Sequence, residues 1–207
     1  MAYLVLVRHG QSEWNALGLW TGQEDVPLTE QGKLEARAAA EHLREIELHK
    51  AHTSSLSRTQ QTLHEIKEAL AHTELDTTSH DALNERHYGE FQAKNKWEIR
   101  DTIGEEEFTK LRRNWDHPVP GGETLKDVHD RVLPYYEQHI LEDLKVGKNV
   151  IVSAHGNTLR ALMKHLDQVA DDEVHRLEIG TGEVHVYEIN EDGSVISKEI
   201  KAPGGHA

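Results

Sequence analysis

Two short apolar runs in this chain end in the same way, with a histidine followed by a glycine. Residues 3–7 lead into an Arg-His-Gly triplet at 8–10, and residues 149–154 lead into His155. Short apolar runs bounded by glycine and polar residues predict buried strands, and functional side chains in α/β sheets follow the carboxyl ends of the strands. Because parallel strands present those ends at one edge of the sheet, we expect His9 and His155 to lie close together.

The rest of the chain alternates between strand-like and helix-like patterns, which predicts an α/β fold with a mostly parallel sheet. The expected elements are a loop at 10–28, a helix from Thr29 to about 46, a strand at 51–54, a helix ending at about 71 and capped by Ser55 or Ser57, a long helix from 121 to 144 with a kink at Pro134, a helix at 158–166, and a hairpin of residues 183–189 and 195–200. We expect residues 1–207 to form one domain, with a lid or substrate insertion at about 83–120 and a frayed tail at 202–207.

Composition limits the classes of partner. The formal net charge is -14, which argues against general binding to nucleic acid or to an anionic membrane, since Lys and Arg side chains drive both. An anionic ligand would therefore have to meet a local cluster of positive charge. The chain has no cysteine, which excludes disulfides and thiol catalysis. No apolar stretch approaches the about 20 residues needed to cross a bilayer, so a cytoplasmic protein is expected.

The residues at the first strand end are suited to phosphoryl transfer. Arg8 supplies a guanidinium fork that matches phosphate oxygens, and an uncharged His9 can attack phosphorus as a nucleophile. Arg58 stands near the start of the second helix, where the helix dipole also favours an anion. With His155 these arginines would spread the charge of a transferring phosphoryl group. A carboxyl group is also needed as proton donor, and the 37 acidic residues leave its identity open at this point.

Several longer blocks point to a known family. They are LVRHGQSEWN at 6–15, TGQEDVPLTEQG at 21–32, TSSLSRTQQT at 53–62, LNERHYGEFQ at 83–92, the arginine pair at 112–113 and HGNTLRAL at 155–162. In these blocks and in their order the chain resembles the cofactor-dependent phosphoglycerate mutases of the histidine phosphatase superfamily. The resemblance implies a three-layer sandwich, in which helices flank the central sheet.

The resemblance also implies roles for individual residues. His9 would be the nucleophile and Glu85 the general acid and base, while Arg8, Arg58 and His155 would hold the transferring phosphate. The implied substrate-binding residues are Gly10, Gln11, Ser12, Glu13, Trp14, Asn15, Thr21, Gly22, Arg86, His87, Tyr88, Lys96, Arg112, Arg113, Gly156 and Asn157. Four of these are cations expected to grip the carboxylate and the non-reacting phosphate, namely Arg86, Lys96, Arg112 and Arg113.

The implied reaction is the interconversion of 3-phosphoglycerate and 2-phosphoglycerate through a phosphohistidine and a 2,3-bisphosphoglycerate intermediate. Trace 2,3-bisphosphoglycerate would prime the enzyme, and no metal ion would be required. The sixteen histidines include no His-Glu-x-x-His motif, so no metal site is predicted. The expected partners are small-molecule phosphoglycerates, with no nucleic acid and no membrane. Whether the chain acts as a monomer or a homo-oligomer is left open.

Two alternatives share the same residues. A phosphomonoesterase would pass the phosphoryl group from His9 to water, and a non-catalytic phosphate-binding protein would keep only the fold. The intact set of His9, Glu85 and His155 argues against the second alternative, and the four predicted gripping cations argue against the first. The side activities of a bisphosphoglycerate synthase or phosphatase are not excluded. The chain also departs from the family, which usually has Trp, Gly and Leu at the positions of Gln23, Ala93 and Lys94, and the segment from 114 to 121 is shorter than in longer members.

Overall fold

The computed structural model describes residues 1–202. Its strands are β1 (Ala2–Arg8), β2 (Lys50–Thr53), β3 (Thr77–Ser79), β4 (Val150–Ala154), β5 (Val184–Ile189) and β6 (Val195–Ala202). Its α-helices are α1 (Glu13–Ala16), α2 (Glu30–Glu41), α3 (Ser57–Ala69), α4 (Lys96–Ile103), α5 (Glu105–Arg113), α6 (Leu125–Tyr135), α7 (Leu141–Lys145) and α8 (Gly156–Leu166). Short 3₁₀ turns occupy Asp81–Leu83, Gly89–Phe91 and Val174–Arg176. The predicted frayed tail lies, from residue 203 onward, outside the described residues.

The six strands within the described residues form one mixed sheet in the order β3-β2-β4-β1-β5-β6. β3, β2, β4 and β1 pair in parallel, whereas β5 and β6 join as an antiparallel hairpin. In the register of β1 with β4, Arg8 pairs with Ala154. The two histidines that follow these strands therefore leave the sheet at the same level, as the sequence predicts.

Helices cover both faces of the sheet, which confirms the expected α/β sandwich. One face packs in a core with α6, α7 and α8, and its fully buried side chains include Leu4, Val152 and Leu159. The opposite face packs against α2 and α3 through residues such as Val5 and Ile151. Alternate residues of β1 and β4 thus point to different cores, as the period of two in a strand requires.

The long helix predicted from 121 to 144 exists in three parts. Thr124 caps its start and shares a capping box with Asp127, so the helix begins at Leu125 rather than at the glycines. A π-helical turn at Tyr136–Ile140 follows Pro134 and leads into α7. Pro134 has no backbone N–H, so regular α-helical pairing is broken near it. The predicted apolar face is nevertheless buried along the whole segment.

Three other local predictions need correction. α2 ends at Glu41 instead of about residue 46, because its last turn tightens to 3₁₀-type bonds, such as Leu43 N to Ala40 O. Neither serine caps α3; instead the Ser57 N–H donates to Asp25 Oδ1 at 2.7 Å, a partner distant in sequence. The predicted loop at 10–28 contains α1, and the short strand β3 was not predicted.

The segment expected as an insertion at about 83–120 contains α4, α5 and the 3₁₀ turn at Gly89–Phe91. It has a small apolar cluster of its own, in which Tyr88, Phe108, Leu111 and Val119 pack with Trp20. Trp20 comes from the loop after α1, and its ring lies 4.3 Å from that of Tyr88. The segment is thereby fixed above the sheet edge at which β1 and β4 end.

Candidate active site

His9 and His155 meet at the carboxyl edge of the sheet. Their ring centroids are 5.1 Å apart at an interplanar angle of 66°. The His9 backbone N–H continues the sheet by donating to Ala154 O at 3.0 Å. Both side chains are buried. The structure therefore brings together two residues that lie 146 positions apart in the sequence, for the reason given by the parallel pairing.

His9 has the tautomer and the charge that a nucleophile needs. Its Nδ1 lies 2.7 Å from Gly10 O, and since a carbonyl oxygen only accepts, Nδ1 must carry the proton. Nε2 is then left with a free lone pair. Burial, reinforced by the nearby charges of Arg58 and Arg8, holds the pKa of His9 well below its usual value. The imidazole is therefore neutral at neutral pH, as attack on phosphorus requires.

The His155 ring is held by the hydroxyl group of Ser54. Its Nε2 lies 2.8 Å from Ser54 Oγ, which in turn lies 2.7 Å from Thr59 Oγ1. The Thr59 hydroxyl donates its only proton to Leu56 O at 2.9 Å, and when Ser54 donates to Nε2, the His155 ring proton sits on Nδ1. That nitrogen is buried and has no hydrogen-bond partner within residues 1–202. Burial and the charge of Arg58 lower the pKa of His155 well below its usual value, so it is a neutral donor.

Two buried guanidinium groups lie beside these rings. Arg8 donates through Nη1 to Ile179 O at 2.8 Å, and Arg58 donates to Glu24 O and Gly22 O at 2.8 and 2.7 Å. The Nε–H of each arginine is buried without a partner in the described chain. Burial lowers the pKa of Arg58 to about 10 and also lowers that of Arg8, yet both stay charged at neutral pH. The carbonyls fix these cations and leave a donor on each.

Glu85 lies across the start of α8. Its Oε1 accepts from the backbone N–H groups of Arg86 and Asn157, at 2.8 and 3.2 Å. A Cβ placed on Gly156 would stand 3.8 Å from Glu85 Oε2 and 3.5 Å from the Arg8 guanidinium. The carboxyl group is therefore close to Arg8, and with Oε1 committed to two donors, Oε2 is the oxygen available for proton exchange.

His9, Arg8, Arg58 and Glu85 line a cavity of about 310 Å³, whereas His155 contacts His9 without lining it. Its lining consists of Arg8, His9, Asn15, Trp20, Thr21, Gly22, Arg58, Glu85, Tyr88, Lys96, Arg112, Arg113, Gly156, Asn157, Arg160, Glu178, Ile179, Gly180 and Glu183. Six cationic side chains thus face three carboxylates. An acidic chain has gathered the local positive charge that an anionic ligand needs.

Some residues predicted to bind substrate do not line this cavity. They are Gly10, Gln11, Ser12, Glu13, Trp14, Arg86 and His87. Arg86 is fully buried and donates to Glu123 O and Leu111 O, at 2.5 and 2.9 Å, with its guanidinium 5.2 Å from the Tyr88 ring. Its Nη2 is buried without a partner among residues 1–202. Gly10 permits a close approach, because a Cβ there would stand 2.1 Å from Gly32 O.

Other lining residues were not predicted from the sequence. They are Trp20, Arg160, Glu178, Ile179, Gly180 and Glu183. Arg160 donates to Asn157 Oδ1 and to the last carbonyls of α5, Arg112 O and Arg113 O, at 3.1 to 3.2 Å. Arg160 follows Asn157 by three residues, which places both on one face of α8. This spacing is the sequence signal that could have identified Arg160 as a residue of the site. Glu178 forms an ion pair with Arg113, which no sequence pattern indicated.

Neither a metal-binding cluster nor a membrane-spanning helix is present among residues 1–202. No group of three or more His, Asp or Glu side chains there is arranged to hold a metal ion. No helix in that part of the chain is long and apolar enough to cross a membrane.

Comparison with known proteins places this site in context. A model of the histidine phosphatase superfamily (branch 1) matches residues 4–200. The 2,3-bisphosphoglycerate-dependent phosphoglycerate mutase of Mesorhizobium japonicum is 47% identical over 199 residues, which cover 95% of this chain and 97% of that protein. The protein of the same name from Parvibaculum lavamentivorans is 45% identical over 199 residues, covering 95% of both chains.

A solved structure agrees in fold. A mycobacterial glucosyl-3-phosphoglycerate phosphatase superimposes with a TM-score of 0.84 at 24% identity, and the match covers 99% of this chain and 100% of that one. At this identity the likeness shows the shared three-layer architecture alone. The sheet edge that carries His9 and His155 is therefore part of a common scaffold.

Proposed function

The chain belongs to the histidine phosphatase superfamily, and we propose that it interconverts 3-phosphoglycerate and 2-phosphoglycerate, as a 2,3-bisphosphoglycerate-dependent phosphoglycerate mutase. This is an isomerase reaction of the intramolecular phosphotransferase class, in glycolysis and gluconeogenesis. The observation that carries the proposal is a neutral His9, with Nε2 free, in a cavity lined by six cationic side chains.

The donors around His9 fit a phosphoryl group. Arg8 Nε, Arg58 Nε and His155 Nδ1 are buried and lack partners within the described residues, and a phosphate offers acceptors for all three. Unpaired buried donors are costly, so a bound phosphate would remove that cost. When bound, 2,3-bisphosphoglycerate supplies the phosphoryl group that primes His9.

The residues of this chain then have separate tasks. His9 Nε2 attacks phosphorus, while Gly10 O holds the Nδ1 proton and stabilises the positive charge that develops on the ring. Arg8, Arg58 and His155 spread the negative charge of the transferring group. Because their positions are fixed by carbonyl and hydroxyl partners, little reorganisation is needed during transfer.

Glu85 is proposed as the group that exchanges the proton. The departing alkoxide takes a proton from its carboxyl, and the reverse step returns a hydroxyl proton to it. The N–H donors of Arg86 and Asn157 hold Oε1 and so leave Oε2 for this exchange. A single carboxyl group can serve both directions, because the transfer to His9 is the reverse of the transfer from phospho-His9.

Retention of a doubly phosphorylated intermediate separates a mutase from a phosphatase. Lys96, Arg112 and Arg113 line the cavity and can hold a carboxylate and a second phosphate. Arg160 fixes the last turn of α5, which carries the two arginines. This second group of cations supports the mutase over a phosphomonoesterase. The partners proposed are small phosphoglycerates, and a cytoplasmic location follows from a glycolytic role.

The decisive experiment follows 3-phosphoglycerate, 2-phosphoglycerate and free phosphate in the same reaction, in the presence of a chelator. We expect isomerisation that is stimulated by trace 2,3-bisphosphoglycerate and that exceeds phosphate release. Release of phosphate faster than isomerisation would identify a phosphatase instead. A requirement for a divalent metal would contradict the proposed mechanism.

A matched pair of variants tests the nucleophile. His9→Ala is expected to form no phosphoenzyme, because the attacking nitrogen is removed, whereas His42→Ala, at an exposed histidine of the surface, keeps full labelling. The measurement is acid-labile radioactivity after incubation with labelled 2,3-bisphosphoglycerate. A persistent acid-labile adduct in His9→Ala would show that another residue is phosphorylated.

A further inference from the structure

Two side chains from outside the cavity converge on the backbone of Glu85. Gln23 Nε2 and Arg131 Nη2 each donate to Glu85 O, both at 3.0 Å. Neither side chain lines the cavity. A carbonyl oxygen has two lone pairs, so these two donors saturate it. The main chain at the proposed proton donor is thus fixed from two directions by residues that do not face the substrate.

Gln23 is itself held in place. Its backbone N–H donates to Gln92 Oε1 at 3.1 Å, and the same oxygen accepts from Tyr88 N at 3.3 Å. Gln92 Nε2 donates to Glu24 Oε1 at 3.1 Å. Gln92 therefore links the loop that contains Gln23 to the loop that contains Glu85, and it orients the Gln23 side chain toward the Glu85 carbonyl.

Arg131 approaches from α6, on the other side of the loop. It donates to Ala82 O at 2.8 Å and pairs with Glu123 through Nε and Nη2, at 2.8 and 3.0 Å. Glu123 Oε2 also accepts from His87 N at 2.8 Å. The bonds at Ala82 and His87 thereby hold the loop before and after Glu85. Gln23 adds its bond from the loop that follows α1.

We infer that Gln23 is a positioning residue for Glu85, acting with Arg131 to set where the carboxyl group lies during proton exchange. The inference rests on the proposed function, in which Glu85 is the acid and base. A general acid works only within hydrogen-bond reach of its target, so a small displacement of its backbone reduces transfer. Gln23 stands where the resembled family usually has Trp. The amide that donates to Glu85 O therefore comes from a position at which this chain differs from the family.

The test depends on the leaving group. Transfer of a phosphoryl group to His9 from 2,3-bisphosphoglycerate expels an alkoxide that needs a proton, whereas p-nitrophenyl phosphate expels a phenolate that does not. Gln23→Met keeps the side-chain length and removes the donor. We expect His9 phosphorylation, measured by rapid quench, to slow about tenfold with 2,3-bisphosphoglycerate and to stay within about twofold with the aryl ester. The KM for phosphoglycerate should be unchanged.

Reference variants separate this inference from the proposed function. Glu85→Gln is expected to show the same selectivity with a larger loss, and Gln31→Met, at an exposed glutamine of α2, is expected to show none. Gln92→Met, which frees the Gln23 backbone, should give a weaker loss of the same kind and serves if Gln23→Met does not fold.

The outcomes are distinct. Equal slowing with both donors, or a changed KM in Gln23→Met, would overturn the positioning role, and so would unchanged rates with both donors. If Glu85→Gln itself showed no dependence on the leaving group, the assignment of Glu85 as acid would fail, whatever the behaviour of Gln23.

Discussion

Burial beside other cations controls the charge of single residues in this cavity. His9 becomes a neutral nucleophile because it is buried and flanked by Arg58 and Arg8. The same environment acts on Lys96, where burial, with Arg112 and Arg8 nearby, lowers the pKa to about 8. At neutral pH Lys96 is still a cation, but its charge is lost just above the physiological range. The cations of this cluster therefore lower one another's pKa, and with it the pH range in which each is charged.

Deprotonation of Lys96 should produce a decline at high pH in the pH profile of kcat/KM. Its cation is present below a pKa of about 8 and is lost above it, so kcat/KM for phosphoglycerate is expected to fall above about pH 8. Lys96→Arg keeps the charge and should move this fall by about two units or more to higher pH. The measurement is kcat/KM of both proteins between about pH 6 and about pH 10. An unmoved basic limb in Lys96→Arg would assign it to another group.

At the scale of elements, the turn before α4 contains a residue in an unusual backbone conformation. Ala93 has a φ of 65°, in the left-handed region, where the resembled family usually has Gly. Its N–H donates to Trp20 O at 2.9 Å, and Trp20 N donates back to Lys94 O at 3.0 Å. This pairing keeps Trp20 against the segment above the cavity. The departure from glycine thus leaves the left-handed turn in place and adds backbone strain to it.

Ala93→Gly is expected to stabilise the fold by about 0.5–1 kcal/mol. Relief of the left-handed conformation exceeds the extra entropy of glycine in the unfolded chain. The measurement is the free energy of unfolding in urea. The same substitution at Ala38, an exposed residue within α2, should destabilise by about 1 kcal/mol, because glycine is a poor helix former. Destabilisation at both positions would show that Ala93 is not strained.

At the scale of the whole molecule, folding buries several histidines in neutral form. Burial lowers the pKa of His9, His155 and His185, and it lowers that of His52 to about 4. In the unfolded chain a histidine titrates near 6.5. Between the two values the unfolded chain binds more protons, so the stability of the fold rises with pH and falls as the solution is acidified through this window.

His52 offers a separate measure of this effect, since it lies away from the cavity with its Nδ1 2.8 Å from Tyr135 OH. Acidification from about pH 6.5 to about pH 4 should cost up to about 3 kcal/mol of stability through His52 alone. His52→Gln should remove that part of the slope, whereas His42→Gln, at an exposed position, should keep it. Urea unfolding across this pH range measures both. Equal slopes in wild type and His52→Gln would contradict the prediction.

Much of the site could be predicted because its parts follow from local pattern and parallel pairing. His9 and His155 end apolar strands, and Arg58 lies in the first turn of α3 as expected. Arg86, which is expected to grip substrate, is fully buried and does not line the cavity, and sequence does not reveal which side of an irregular loop faces a cavity. The cap of α3 escaped prediction for a similar reason, since Asp25 comes from a distant segment.

The sequence by itself determined the fold class, the two strand-end histidines and the family, because these depend on periodicity and on residue types at fixed spacing. The tertiary structure alone decided the protonation state of His9, the bonds that hold Glu85 and the role of Gln23. These properties arise from desolvation and from contacts between residues distant in sequence, such as Gln23 and Glu85, which are 62 positions apart. Both are fixed only when the chain is packed, since each depends on which groups exclude water from which others.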